Sequence, residues 1–217
     1  MTTLTTAPLA PLLDALFAKA AAATSPAMSG LTGEERMRLI ESKTEYLDLY
    51  GRLKDLWLPV PREAGALLYM LARNSRARTM VEFGTSFGIS TLHLAAALRD
   101  NGGGRLITSE FEPSKLTRAR ENLTAGGLID LVDIREGDAL QTLSVDMPET
   151  IDLLFLDGAK ALYRDILELV EDRLRPGALI VADNADVCPD YLARVRTPAA
   201  GYLSTPFADD IELSMRV

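Results

Sequence analysis

Between Thr79 and Asp183 the chain alternates short β-rich runs with helical stretches, and that alternation restricts the fold more than any other feature. The β-rich runs are Thr79 to Phe83, Arg105 to Glu110, Leu131 to Arg135, Ile151 to Asp157 and Ala178 to Asp183. Helical spacing fills Ser90 to Arg99, Ser114 to Leu123 and Ala161 to Leu174. Pro113 opens the second of these at a favoured first-turn position, Gly126-Gly127 close it, and Pro176-Gly177 are expected to stop the third. Strand, helix, strand in repetition predicts a mostly parallel sheet with helices on both faces. Beyond it, Tyr202 to Thr205 and Ile211 to Val217, around Ala208-Asp209-Asp210, predict an antiparallel hairpin.

Upstream, Leu9 to Ala22 has helical spacing in Leu12, Leu13, Leu16 and Phe17, and Thr24 to Gly30 is expected to break it through Pro26 and Gly30. Thr32-Gly33-Glu34-Glu35 matches a capping box, and Leu39, Ile40, Leu47, Tyr50 and Leu53 continue the helical pattern behind it. Pro59 and Pro61 end that pattern before a third helix, Arg62 to Asn74. With 217 residues the chain suits one α/β domain. The N-terminus is apolar but lacks a basic leader and carries Asp14 and Lys19, so a secretory signal is not expected. No uncharged run approaches the roughly 18 apolar residues of a membrane span. A single cysteine, Cys188, suits a reducing compartment, and a soluble cytoplasmic protein is expected.

In an open parallel sheet, ligands bind beyond the carboxyl ends of the strands. Gly84 and Gly88 lie there, after the first strand, where a missing Cβ permits unusual dihedrals and close approach. Glu110 ends the second strand 22 residues past Gly88, a spacing suited to an acid that binds ribose hydroxyls. The turn Gly84-Thr85-Ser86-Phe87-Gly88 has two glycines where a dinucleotide fingerprint needs three. Glu82 just before it would repel a pyrophosphate and attract a cationic ligand such as an amino group or sulfonium. The plainer alternative is a tight turn beside two solvated acids. A formal charge of −8 argues against a nucleic-acid partner.

Asp157 ends the fourth β-rich run, and Asp183 and Asn184 end the fifth. Were these strands neighbours, three oxygen-bearing side chains would converge beside the glycine turn. Two carboxylates and an amide oxygen suit Mg2+ better than zinc, and neither His93, inside a helix, nor Cys188 builds a zinc site. A turn or helix cap is the bland reading of Asp-Asn. Lys160 stands at the expected start of a helix, where the macrodipole disfavours a cation; with a metal ion nearby its pKa would fall toward that of a neutral base.

From about Pro59 onward, VEFGTSFGIS, ITSEFEP, GDAL, FLDGAKALY and VADNADVCPDYLARVR together resemble the Mg2+-dependent class I O-methyltransferases that use S-adenosylmethionine, among them the catechol and caffeoyl-CoA enzymes. The resemblance implies a single-domain Rossmann-like methyltransferase fold with a mostly parallel seven-stranded sheet over 59–217. Residues 1–58 would form a helical extension serving as lid or subunit interface. Glu82, Gly84 and Ser90 would then contact the methionine part of the cofactor, Glu110 the ribose and Asp138-Ala139 the adenine, with Val60 at the cofactor entrance and Asp157 beside the cofactor. Asp157, Asp183 and Asn184 would hold Mg2+, and Lys160 would be the base. The acceptor would be a small hydroxylated aromatic molecule, methylated by a protein that is expected to be a homodimer.

Two departures separate the chain from the catechol enzymes. They place a late carboxylate against the second substrate hydroxyl, and Gly201-Tyr202-Leu203-Ser204-Thr205-Pro206 has no acid there. The first 58 residues match no part of the pattern; Leu56-Trp57-Leu58 suits a lid, a subunit contact or plain core packing. The rival readings are a nicotinamide-dependent oxidoreductase, which the missing third glycine disfavours, and a cofactor-binding protein without catalysis.

Overall fold

Alternating apolar residues build the sheet in the computed structural model, which describes residues 1–24, 30–208 and 210–217. Five parallel strands, β1 (Thr79–Phe83), β2 (Arg105–Glu110), β3 (Val132–Glu136), β4 (Ile151–Leu156) and β5 (Leu174–Ala182), are followed by an antiparallel hairpin of β6 (Tyr202–Phe207) and β7 (Ile211–Arg216). The order across the sheet is β3-β2-β1-β4-β5-β7-β6, with β7 antiparallel against β5. Successive strands step outward from β1 to β3, and the chain then crosses back to β4. The gap between β1 and β4 is therefore the topological switch point, where a parallel sheet opens a crevice.

The helices are α1 (Leu9–Ala22), α2 (Gly33–Ile40), α3 (Tyr46–Arg52), α4 (Arg62–Asn74), α5 (Ile89–Asp100), α6 (Pro113–Ala125), α7 (Ala139–Thr142), α8 (Tyr163–Val170) and α9 (Pro189–Val195). Side-chain period 2 divides the core. Met80, Leu106, Leu153 and Val181 pack with α1, α4, α5 and α6, while Val81, Ile107, Leu154 and Ile180 pack with α8 and α9 on the other face. Leu9, Leu13 and Leu16 put one stripe of α1 into the first core, so truncating Leu16 to alanine would cost roughly 2–5 kcal/mol. Leu39, Leu49 and Leu53 of the α2–α3 segment instead form a small cluster of their own. No helix among the described residues is long and apolar enough to cross a membrane.

Three local expectations change. The helical pattern from Thr32 to Leu53 breaks into α2 and α3 because the Ser42 hydroxyl accepts from the amides of Thr44 (3.3 Å) and Glu45 (3.0 Å), offering the backbone an alternative to helix. The helix expected over Ala161 to Leu174 ends at Val170, and Pro176-Gly177 lie inside β5. There Ile151 faces Leu174 but Leu153 faces Leu179, so Arg175 to Ala178 bulge out of register and Pro176 has no ladder bond to lose. The short helices α7 and α9 carry too few residues to show a period. The break expected at Pro26, and Asp209 of the hairpin turn, lie outside the described residues.

Candidate active site

The register fixes the site. Phe83 pairs with both Ser109 and Leu156, and Leu156 pairs with Ala182, so Gly84, Glu110, Asp157 and Asp183 emerge side by side at the carboxyl edge. A cavity of about 700 Å³ opens over that edge, with Glu110 and Asp138 in one stretch of wall, Asp157, Lys160, Asp183 and Asn184 in another, and α3 contributing Tyr46 and Tyr50.

Gly84 has φ of +105°, and a Cβ on it would lie 2.6 Å from the main-chain oxygen of Asp157. The missing side chain thus makes room for the neighbouring strand end, and the turn is held against β4. Gly88, at φ +82°, starts α5. Glu82 is fully buried behind the turn, its Oε1 accepting from Ser90 Oγ (2.6 Å) and its Oε2 from the hydroxyls of Thr91 (2.6 Å) and Thr108 (2.7 Å). Burial outweighs those bonds and pushes its carboxyl up to about 7. Glu82 therefore reaches the ligand side through Ser90, which lines a recess with Val60, Gly84, Trp57 and Asp157. Ser86 Oγ is buried nearby without a hydrogen-bond partner among the described residues.

Glu110 Oε2 accepts from the Ser86 amide (2.8 Å) and Oε1 from the Glu112 amide (2.9 Å). Each oxygen keeps a lone pair for a ligand hydroxyl. Burial raises the Glu110 pKa above the usual carboxylate range. Asp138 caps α7 through the Leu140 amide (3.0 Å) and accepts from Tyr46 Oη at 2.7 Å. Burial, helped by that carboxylate, pushes the Tyr46 phenol up to about 12. Ala139, the other residue expected at the adenine, is buried beside them in the cavity wall.

Lys160 Nζ donates to Asp157 Oδ1 (2.9 Å) and to Tyr163 Oη (2.8 Å), which in turn donates to the main-chain oxygen of Asp183 (2.8 Å). Burial would lower the lysine pKa, but Asp157 and its neighbours more than offset it and hold Nζ protonated beyond its ordinary range. Lys160 opens a 3-10 turn, Lys160–Leu162, that runs directly into α8. Asp183 is pushed up to about 7, by burial first and by Asp157 second. Asn184, at φ 51°, donates Nδ2 to Asp210 Oδ2 at 3.2 Å, which leaves its amide oxygen available. No group of three His, Cys, Asp or Glu side chains gathers among the described residues, so any cation here must use the mixed set of Asp157, Asp183 and Asn184. His93 is buried in α5 against Gly65, and Cys188 donates weakly to main-chain oxygens of Lys160 and Asn184.

The cavity also contains residues that local sequence reasoning passes over: Tyr46 and Tyr50 of α3, Lys115 of α6 and Asp210 of the hairpin. Tyr163, buried and bonded to Lys160 three residues before it, is a further partner of the cluster.

Residues 81–185 match a family described as a methyltransferase domain. A catechol O-methyltransferase of Niastella koreensis is 37% identical over 130 residues, covering 58% of this chain and 58% of that protein. Catechol O-methyltransferase B of Danio rerio is 33% identical over 181 residues, covering 79% of this chain and 67% of that protein. Against the first of these the chain spans little more than half of its relative's length. Among solved structures, an O-methyltransferase of tomaymycin synthesis from Streptomyces achromogenes, in complex with SAM, superposes with a TM-score of 0.61 at 28% identity, covering 86% of this chain and 99% of that one.

Proposed function

The chain belongs to the class I S-adenosylmethionine-dependent O-methyltransferases, and from its cavity we propose that it methylates a hydroxyl of a small aromatic acceptor carrying two adjacent oxygens. The observation that carries this reading is the single cavity with a diol-suited acid, Glu110, in one wall and the Asp157, Lys160, Asp183 and Asn184 cluster in another. S-adenosylmethionine would supply the methyl group from its sulfonium. Glu110 would accept its ribose hydroxyls, Ala139 would border its adenine, and Val60, Gly84 and Ser90 would enclose its methionine end.

Asp157, Asp183 and Asn184 offer two carboxylates and one amide oxygen with no sulfur or imidazole, a donor set that fits a hard cation such as Mg2+. Burial raises Asp183 first and repulsion by Asp157 second, and a cation between the carboxylates would relieve that repulsion. Bound there, Mg2+ would orient the acceptor oxygens and stabilise the oxyanion. The chain's own part is positional and protolytic. Asp157 and Tyr163 fix Lys160 Nζ; with the pull of Asp157 shared by a bound cation, Nζ would first release its own proton to solvent and then, as the neutral amine, take the acceptor's hydroxyl proton. α3 lines the cavity with Tyr46 and Tyr50, which would help to exclude water and to hold the acceptor oxygen close to the methyl carbon.

Calorimetry with S-adenosylmethionine and with NAD+, followed by a methyl-transfer assay on catechol with and without chelator, tests the reading. Binding of the first ligand alone and loss of turnover on chelation are expected. Binding of NAD+ instead, or full turnover in chelator, would overturn it.

A further inference from the structure

Lys115 is 5% exposed and lines the same cavity as Glu110, yet its ammonium has no hydrogen-bond or ion-pair partner among the described residues. Its close side-chain contact is with the Phe87 ring, whose centroid is 5.5 Å from Nζ. A cation–π contact at that range recovers only part of the cost of desolvating an ammonium. Burial accordingly pushes Lys115 below the ordinary lysine range despite the pull of Glu110 and Glu112. A second polar group in this wall is also unpaired: Ser86 Oγ is buried without a partner, while the amide of the same Ser86 donates to Glu110 Oε2 at 2.8 Å.

Three residues with polar groups of complementary kind thus line one cavity. Glu110 can only accept in its ionised form, Lys115 can only donate, and a serine hydroxyl can do either. A vicinal diol needs this combination, because each hydroxyl gives one proton and presents lone pairs to a donor. We propose that Lys115 is the donor half of a ribose clamp: Glu110 accepts from the two ribose hydroxyls, while Lys115 Nζ, supported by Ser86 Oγ, donates to their oxygens. The inference rests on S-adenosylmethionine being the methyl donor and adds to the site a recognition residue that neither the glycine turn nor the metal cluster contains. It also explains why an ammonium is tolerated in this wall, since the bound ribose would satisfy it.

The test compares S-adenosylhomocysteine with its dideoxyribose analogue, which lacks both ribose hydroxyls, by calorimetry on the native protein and on Lys115→Met and Lys115→Arg. The methionine variant keeps the unbranched stem, one atom shorter, and removes a buried charge, so it should fold. We expect Lys115→Met to weaken S-adenosylhomocysteine about tenfold or more, as for loss of a charge-assisted hydrogen bond, with the dideoxy analogue changed less than about twofold and partial rescue by Lys115→Arg. Equal losses for both ligands, or no loss for either, would overturn the clamp while leaving the methyl-donor reading intact. Failure of the native protein to bind S-adenosylhomocysteine would overturn both.

Discussion

Asp157 Oδ1 lies 2.9 Å from Lys160 Nζ, three residues along the chain, and both side chains are largely withdrawn from solvent. Lys160→Met should lower kcat about a hundred- to ten-thousand-fold, the usual worth of a positioned base. S-adenosylhomocysteine affinity should stay within about twofold, because Lys160 bonds to none of Glu110, Ser90 and Val60, the residues proposed to hold it. Lys160→Arg keeps the charge but cannot release the proton, so single-turnover rates should not recover; recovery with arginine would reduce Lys160 to a positioning cation.

The left-handed turn at Gly84 leads to a stability prediction. Gly84→Ala must place a Cβ 2.6 Å from the Asp157 carbonyl oxygen at φ +105°, where the obstacle is backbone and cannot rotate away. A loss of about 2–4 kcal/mol in urea denaturation is expected, accompanied by weaker donor binding. Denaturation midpoints indistinguishable from the native protein would show that the strand end yields.

Glu82 should make the ligand-free protein less stable as the solution becomes alkaline. Its folded pKa, about 7, lies above the unfolded 4.5 because of burial. The stabilising contribution is therefore fully present below pH 4.5 and is lost as pH rises through about 7. Relative to Glu82→Gln, the native protein should lose about 3 kcal/mol between those limits, read from urea curves at several pH values. A constant difference between the two proteins would mean that the three hydroxyls hold Glu82 ionised throughout.

Tyr46 ties α3 to Asp138, at 2.7 Å, in the stretch of wall proposed to hold the methyl donor. Tyr46→Phe removes that bond and leaves a carboxylate oxygen without its donor, a change of about 1–3 kcal/mol. Faster dissociation of S-adenosylhomocysteine in surface plasmon resonance is expected, with the association rate less affected. An unchanged dissociation rate would separate the α3 contact from donor retention.

Much of this arrangement is legible in the residues themselves. The Thr32–Glu35 capping box forms as read, with Glu35 N donating to Thr32 Oγ1 (3.2 Å) and Thr32 N to Glu35 Oε2 (2.8 Å), because both partners sit within one turn. Gly84, Glu110, Asp157 and Asp183 are legible because each directly follows or ends an apolar strand, and parallel register alone aligns them. Their individual roles are less so: Glu82 reads as a ligand contact, whereas three hydroxyls surround it behind the turn. The break after Ile40 is hidden because apolar spacing continues through it while a single serine hydroxyl redirects the backbone. Tyr46 and Asp210 carry no local signal, since their bonded partners Asp138 and Asn184 lie far away in sequence and only the completed fold brings them together.

The indole of Trp57 is tilted against the Phe87 ring at a centroid distance of 4.4 Å, on the glycine turn that borders the recess lined by Val60 and Ser90. It is the chain's sole tryptophan. Intrinsic fluorescence therefore reports from one address: a ligand that shifts the turn changes the emission of a single residue, with no background from other indoles to subtract. Occupancy of the recess can be followed in the unlabelled, unmodified protein.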